Sequence, residues 1–208
     1  MIRLDFEESA PIAGFDADRF FRYISRKLDE DLDVVIISDY GKGVCTEENC
    51  RRMIESCHTY GVPIVVDPKG TNWTKYAYAD YITPNLKEIN QVLAEPIHNE
   101  DRAVEVAAHY VMNRFNIRNV IVTRSEEGLS LIRDDENVHI PTKAQEVFDV
   151  SGAGDTVIAV FAMGLAGGMS PADSAYMANL AASVVVAKLG TYAVSREELM
   201  AVLKGEAE

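Results

Sequence analysis

Residues 149–156 read Asp-Val-Ser-Gly-Ala-Gly-Asp-Thr, and an apolar helical pattern begins directly behind them. The first amides of a helix have no partner inside it and carry partial positive charge. With glycine at 152 and 154, no side chain blocks an anion from reaching those amides. Asp155 then stands beside the cradle. A carboxylate there is badly placed to hold phosphate but well placed to take a proton from a hydroxyl attacking phosphorus. The segment therefore points to phosphoryl transfer onto an alcohol. The alternative is a glycine turn closed by an ordinary capping aspartate. Asp149 competes for the role of base, but it precedes the glycines. It suits a structural role or a monovalent cation better.

Other segments carry compatible chemistry. Asp39 and Lys42 lie in DYGKG, and Asp67 and Lys69 lie in DPKG. Each lysine can reach a phosphate as a point charge, and each aspartate can hold a sugar hydroxyl or a cation. A solvated turn explains either segment equally well. Asn85 and Glu88 sit three apart behind Pro84, on one face near a helix start. Their oxygens can order the water shell of a Mg²⁺ carried by nucleotide phosphates, or they can simply cap the helix. Residues 123–128 (TRSEEG) can wrap the phosphates or ribose of a nucleotide, although a plain strand and turn would look the same.

The elements that must position these residues alternate between strand and helix. Residues 33–38 (DVVIIS) and 63–67 (PIVVD) read as strands buried on both faces. Residues 46–60 read as a helix with Thr46 as its N-cap and Gly61 at its end. A short strand at 81–83 precedes a helix from about Asn85, and 101–115 is helical. Residues 119–124 form a further strand, and 129–133 with 138–140 form a hairpin around the polar turn 134–137. Residues 145–150 lead into the glycine turn, and helices follow at 153–166, 171–188 and 195–204. Such an order predicts an α/β fold, three-layer and doubly wound, with a mostly parallel sheet. Ligands of such sheets bind beyond the C-terminal ends of the strands, where these polar residues recur.

The 208 residues suffice for one domain with a sizeable core, spanning 1–208. A net charge of −13 disfavours a nucleic-acid partner, and no apolar run is long enough to span a membrane. Cys45, Cys50 and Cys57 lack disulfide or zinc spacing, which suggests reduced thiols in a cytoplasmic protein. The four histidines (His58, His98, His109 and His139) show no metal spacing.

Taken in order, RLDFEE (3–8), SDYGKG (38–43), VDPKGT (66–71), TPNLKE (83–88), VTRSEEG (122–128), QEVFDVSGAGDTV (145–157) and VVAKLGT (185–191) resemble the ribokinase-like (PfkB) carbohydrate kinases. Within that family they are most similar to the branch that phosphorylates D-glycero-β-D-manno-heptose 7-phosphate. The resemblance implies ATP-dependent transfer to the anomeric hydroxyl, giving the 1,7-bisphosphate, a precursor of ADP-heptose and of the lipopolysaccharide core. It implies Asp155 as catalytic base and an anion hole at Gly152, Ala153 and Gly154. It also implies nucleotide or Mg²⁺ contacts at Asn85, Glu88, Thr123, Arg124, Gly128, Asn179 and Gly190, and substrate or phosphate contacts at Asp39, Lys42, Asp67 and Lys69. A K⁺ site at Asp149, with Ser151 and the backbone near 188 and 190, is implied as well. Family members carry earlier strands, a sugar-binding segment and most of a lid. The chain thus corresponds to the C-terminal two-thirds of the domain, with 1–8 a remnant of the lid or early sheet. An open sheet edge would favour a homodimer. Two other readings are a non-catalytic nucleotide-binding fragment and a family kinase for another sugar or nucleoside.

Overall fold

The computed structural model describes residues 9–12, 14–144 and 147–205. The expected remnant at 1–8, and Gln145 and Glu146 of the lead-in to the glycine turn, lie outside the described residues. The described elements are α1 (Gly14–Asp29), β1 (Val35–Ser38), α2 (Glu47–Tyr60), β2 (Ile64–Asp67), β3 (Tyr81–Ile82), α3 (Leu86–Val92), α4 (Asp101–Phe115), β4 (Asn119–Thr123), β5 (Leu129–Ile132), β6 (Asn137–Ile140), α5 (Ala153–Ala166), α6 (Pro171–Val186) and α7 (Arg196–Lys204). Short 3-10 turns occupy Trp73–Tyr76 and Ser125–Glu127.

The sheet order is β1-β2-β3-β4-β5-β6, with β1 to β4 parallel and β4, β5 and β6 antiparallel. Successive side chains of a strand point to opposite faces, so each strand feeds two cores. Ile64, Val66 and Val120 pack with Phe21, Ile54, Trp73 and Val111 on the face covered by α1, α2 and α4. Val65, Ile121 and Leu131 pack with Val157, Phe161 and Ala178 on the face covered by α5 and α6. These are the three layers read from the sequence.

Helix ends follow their local chemistry. Thr46 accepts from the Asn49 amide at 3.1 Å and starts α2, and Gly61 ends it. Ser170 with Pro171 starts α6, and a reciprocal Ser195–Glu198 capping box starts α7. Cys50 and Cys57 are buried on α2, and all three cysteines are free thiols. No described helix is long and apolar enough to cross a membrane.

Three expectations need correction. First, β1 is not buried on both faces: Ile36 is 41% exposed and only Ile37 is buried. Among the described residues β1 pairs with β2 alone, so the strand read as buried on both faces is an edge. Second, the helix predicted over 171–188 stops at Val186, which leaves Lys188 in the following loop. Third, α1 was not anticipated. Its apolar positions Ala17, Phe21, Ile24 and Leu28 recur at helical spacing and pack on α2, yet the helix starts at Gly14 without a strong capping signal.

Candidate active site

The C-terminal ends of the four parallel strands share one edge, and α5 begins there, packed on β1 and β2. Gly152 is the N-cap of α5 at φ +81°, a left-handed backbone that favours glycine. Its carbonyl takes the Thr156 amide and hydroxyl, at 2.9 and 2.8 Å. Ala153 donates its amide to Val150 O at 3.2 Å. Its N–H is therefore engaged in the turn, a correction to the expected three-residue anion hole. Among the described residues the amides of Gly152, Gly154 and Asp155 have no such partner. No heavy atom outside the turn lies within 4 Å of the Cβ position of Gly154. Asp155 is exposed beside these amides, with the Tyr40 hydroxyl 3.3 Å from its Oδ1.

Asp67 closes β2 and faces the same edge. Burial pushes its carboxyl up to about 6, and the nearby charges of Glu88 and Asp155 push in the same direction. Lys69 and a hydrogen bond with the Thr83 side chain oppose them. A half-buried carboxylate crowded by two others suits a cation and repels a bare phosphate, so Asp67 is better placed for a cation than for the phosphate contact expected of it. Among the described residues no three His, Cys, Asp or Glu side chains close around one metal position.

Asn85 and Glu88 form a full capping box on α3: Asn85 Oδ1 accepts the Glu88 amide at 2.9 Å, and Glu88 Oε2 accepts the Asn85 amide at 3.0 Å. Each keeps a second polar atom outside the box, so capping and metal-shell roles are compatible. The Asn85–Thr123 bridge, with Thr123 N donating to Pro84 O at 3.1 Å, brings the end of β4 to the start of α3.

Several expected ligands are engaged elsewhere. Asp39 is buried; its Oδ1 takes the Gly41 amide at 2.7 Å, and its Oδ2 takes Tyr76 Oη at 2.6 Å and Lys75 Nζ at 2.5 Å. Burial pushes this carboxyl up, but the hydrogen bonds outweigh that and hold it below the usual range. It anchors the loop rather than facing a substrate. Tyr76 Oη also accepts the Lys69 amide at 3.1 Å, so the turns carrying Lys42 and Lys69 share one support. The side chains of Lys42 and Lys69 are exposed above it.

Arg124 is 2% exposed, and its guanidinium is spent on Asn99 (2.9 Å), Asp101 (2.5 Å) and Ser130 (3.0 Å), with His139 at 3.4 Å. It pins the β4–β5 hairpin to the start of α4 and does not face a nucleotide. Gly128, at φ +81°, sits so close to β6 that a Cβ would lie 2.2 Å from Ile140 O; its role here is backbone packing. Asn179 is buried and donates to Pro141 O at 2.9 Å, which holds the segment leading to the glycine turn. Asp149 accepts the Ser151 amide at 2.8 Å and is held low by hydrogen bonds from Ser151 and the Gly190 backbone, so it joins the glycine turn to the loop at 190.

Tyr40, Lys75, Tyr76 and Thr83 were not singled out in the sequence. The aromatic run WTKY directly behind DPKGT was the available signal for Lys75 and Tyr76. A hollow of about 410 Å³ lies at the opposite strand ends, among His58, Pro63, Asp80, Tyr81 and Arg118. It shares no residue with the carboxylate edge.

A glycine-rich helix start, carboxylates and lysines on parallel strand ends define an α/β kinase domain. Residues 13–198 match the pfkB family carbohydrate kinase, and the chain belongs to that family. It is 42% identical over 200 residues to the bifunctional protein HldE of Syntrophotalea carbinolica, covering 96% of this chain and 40% of that protein. It is 44% identical over 201 residues to the bifunctional protein HldE of Shewanella piezotolerans, covering 96% and 41%. The chain thus spans about two-fifths of these curated relatives. Among solved structures, it superposes on the Arabidopsis thaliana ribokinase complexed with ribose and ATP with a TM-score of 0.75, at 20% identity, covering 93% of this chain and 60% of that one. The phosphofructokinase-2 of Escherichia coli in complex with potassium gives a TM-score of 0.75 at 19% identity, covering 89% and 62%. These last two establish the fold.

Proposed function

We propose that this chain is the phosphoryl-transfer portion of an ATP-dependent sugar kinase acting on the anomeric hydroxyl of D-glycero-β-D-manno-heptose 7-phosphate. The single observation that carries the reading is the exposed Asp155 beside the unengaged amides at the start of α5. The motif match and the relatedness to bifunctional HldE proteins support the heptose substrate. Asp155 takes the proton of the attacking hydroxyl as its bond to the γ-phosphorus forms and the bond from that phosphorus to the bridging oxygen of ADP breaks, and the amides of Gly152 and Gly154 stabilise charge on the transferred group. Lys42 and Lys69 reach toward phosphate oxygens from the neighbouring strand ends. Asn85 and Glu88, with Asp67, would hold the hydrated Mg²⁺ of the nucleotide, which when bound neutralises phosphate charge. Asp149, Ser151 and the backbone at 188 and 190 would hold K⁺. The edge of β1, unpaired among the described residues, supports pairing with a second copy, and the free thiols suit the cytoplasm.

The test is Asp155→Asn, assayed by ADP release with heptose 7-phosphate and by calorimetry with MgATP. Turnover should fall by about 10³-fold or more with nucleotide binding retained. Retained turnover refutes the role of Asp155. Nucleotide binding without ADP release in the unsubstituted chain assigns it as a non-catalytic nucleotide-binding module, and turnover confined to another sugar or nucleoside moves the substrate within the family.

A further inference from the structure

Tyr40 is an anomaly on this edge. Its ring is 62% exposed, so packing does not account for its position. Yet its hydroxyl reaches Asp155 Oδ1 at 3.3 Å across a sequence separation of 115 residues. The backbone beneath it is held on both sides. The Asp39 amide donates to Asp67 O at 3.1 Å, continuing the β1–β2 ladder by one residue. The buried Asp39 carboxylate takes the Gly41 amide, Tyr76 Oη and Lys75 Nζ. Tyr40 is therefore an exposed side chain on a fixed base.

Resting on the kinase reading above, we infer that Tyr40 is the positioning residue of Asp155, acting through its phenolic O–H. The geometry divides the labour of one carboxylate. Asp155 sits in the first turn of α5, exposed, where its side-chain torsions have no packing to choose among them. The phenol can only donate to an ionised carboxylate, and it occupies Oδ1. That leaves Oδ2 to accept the proton of the sugar hydroxyl. A base held in one rotamer reacts more often than one that samples several. Asp39, Lys75 and Tyr76 act one step further back, because they fix the loop from which Tyr40 reaches out. The relationship explains why a buried ion pair with no access to substrate lies directly under the site.

Tyr40→Phe keeps the ring and removes only the donor, so it separates positioning from stacking on a sugar. The full chain is assayed with MgATP and heptose 7-phosphate, beside Asp155→Asn in the same preparation. The expected result is a kcat lower by about tenfold, with both KM values within about twofold. A wild-type kcat, or a raised sugar KM at unchanged kcat, overturns the inference. Turnover retained in Asp155→Asn would instead remove the kinase assignment of Asp155 itself. A readout independent of turnover is carboxyl ¹³C NMR of the unliganded chain. The resonance that vanishes in Asp155→Asn is expected to shift in Tyr40→Phe, while the remaining aspartate resonances stay in place. An unmoved Asp155 resonance overturns the hydrogen bond and the inference with it.

Discussion

Lys75 Nζ lies 2.5 Å from Asp39 Oδ2, an ion pair almost wholly withdrawn from water beneath the loop that carries Tyr40 and Lys42. Removing one member of such a pair leaves the other buried without its counter-charge, which costs far more than the pair itself contributes. Asp39→Asn is expected to destabilise the fold by about 3 kcal/mol, read by urea unfolding at pH 7. The folded carboxyl is held below its ordinary value. Its stabilisation is thus fully present above the unfolded pKa and is lost as pH falls through the folded one. The gap between wild type and variant should therefore narrow in acid.

Asp67 behaves in the opposite sense. Its folded pKa of about 6 lies above that of a free carboxyl, so the native state holds the extra proton and stability declines as pH rises from about 4 to 6. Asp67→Asn should abolish that decline. Discounted for solvent around a half-buried group, the variant should be more stable at pH 7 by about 1 kcal/mol, with little difference near pH 4. A thermal unfolding series across that range checks it. A steeper decline in the variant would contradict the clustering of Asp67, Glu88 and Asp155.

Arg124→Met should separate structure from nucleotide binding. The buried guanidinium joins Asn99, Asp101 and Ser130, and its loss should cost about 3 kcal/mol. The KM for ATP of the folded protein should stay within about twofold of wild type. A normal melting temperature with a raised ATP KM would return Arg124 to the nucleotide site.

Gly128→Ala should be among the most damaging small substitutions in the chain. The residue needs φ +81° and has backbone atoms of Ile140 and Thr142 where a Cβ would stand. A loss of about 3 kcal/mol or more is expected in equilibrium unfolding. A variant within about 0.5 kcal/mol of wild type would show that the hairpin can move away from β6.

Much of the architecture was legible because period and punctuation agreed. Thr46 and Gly61 bracket α2 by local capping, and Ser195 with Glu198 announces α7, since these signals act within a few residues. An open sheet edge was expected, but the apolar run of β1 did not mark it as the strand that forms it. VVIIS is as apolar as the central VIV of β4, and only the sheet order tells an edge strand from a central one.

The site divides along the same line. Residue types and spacing alone determined the glycine turn, the first-turn carboxylate at Asp155 and the presence of carboxylates and lysines at strand ends, because these depend on short stretches of backbone. Which polar side chains face the site was decided only by tertiary structure. Asp39 and Asp67 look alike at the ends of two strands, yet Lys75 and Tyr76 neutralise and bury the first, while Glu88 and Asp155 crowd the second. An ionisable group takes its role from the charges folded around it, and those charges come from parts of the chain far apart in sequence.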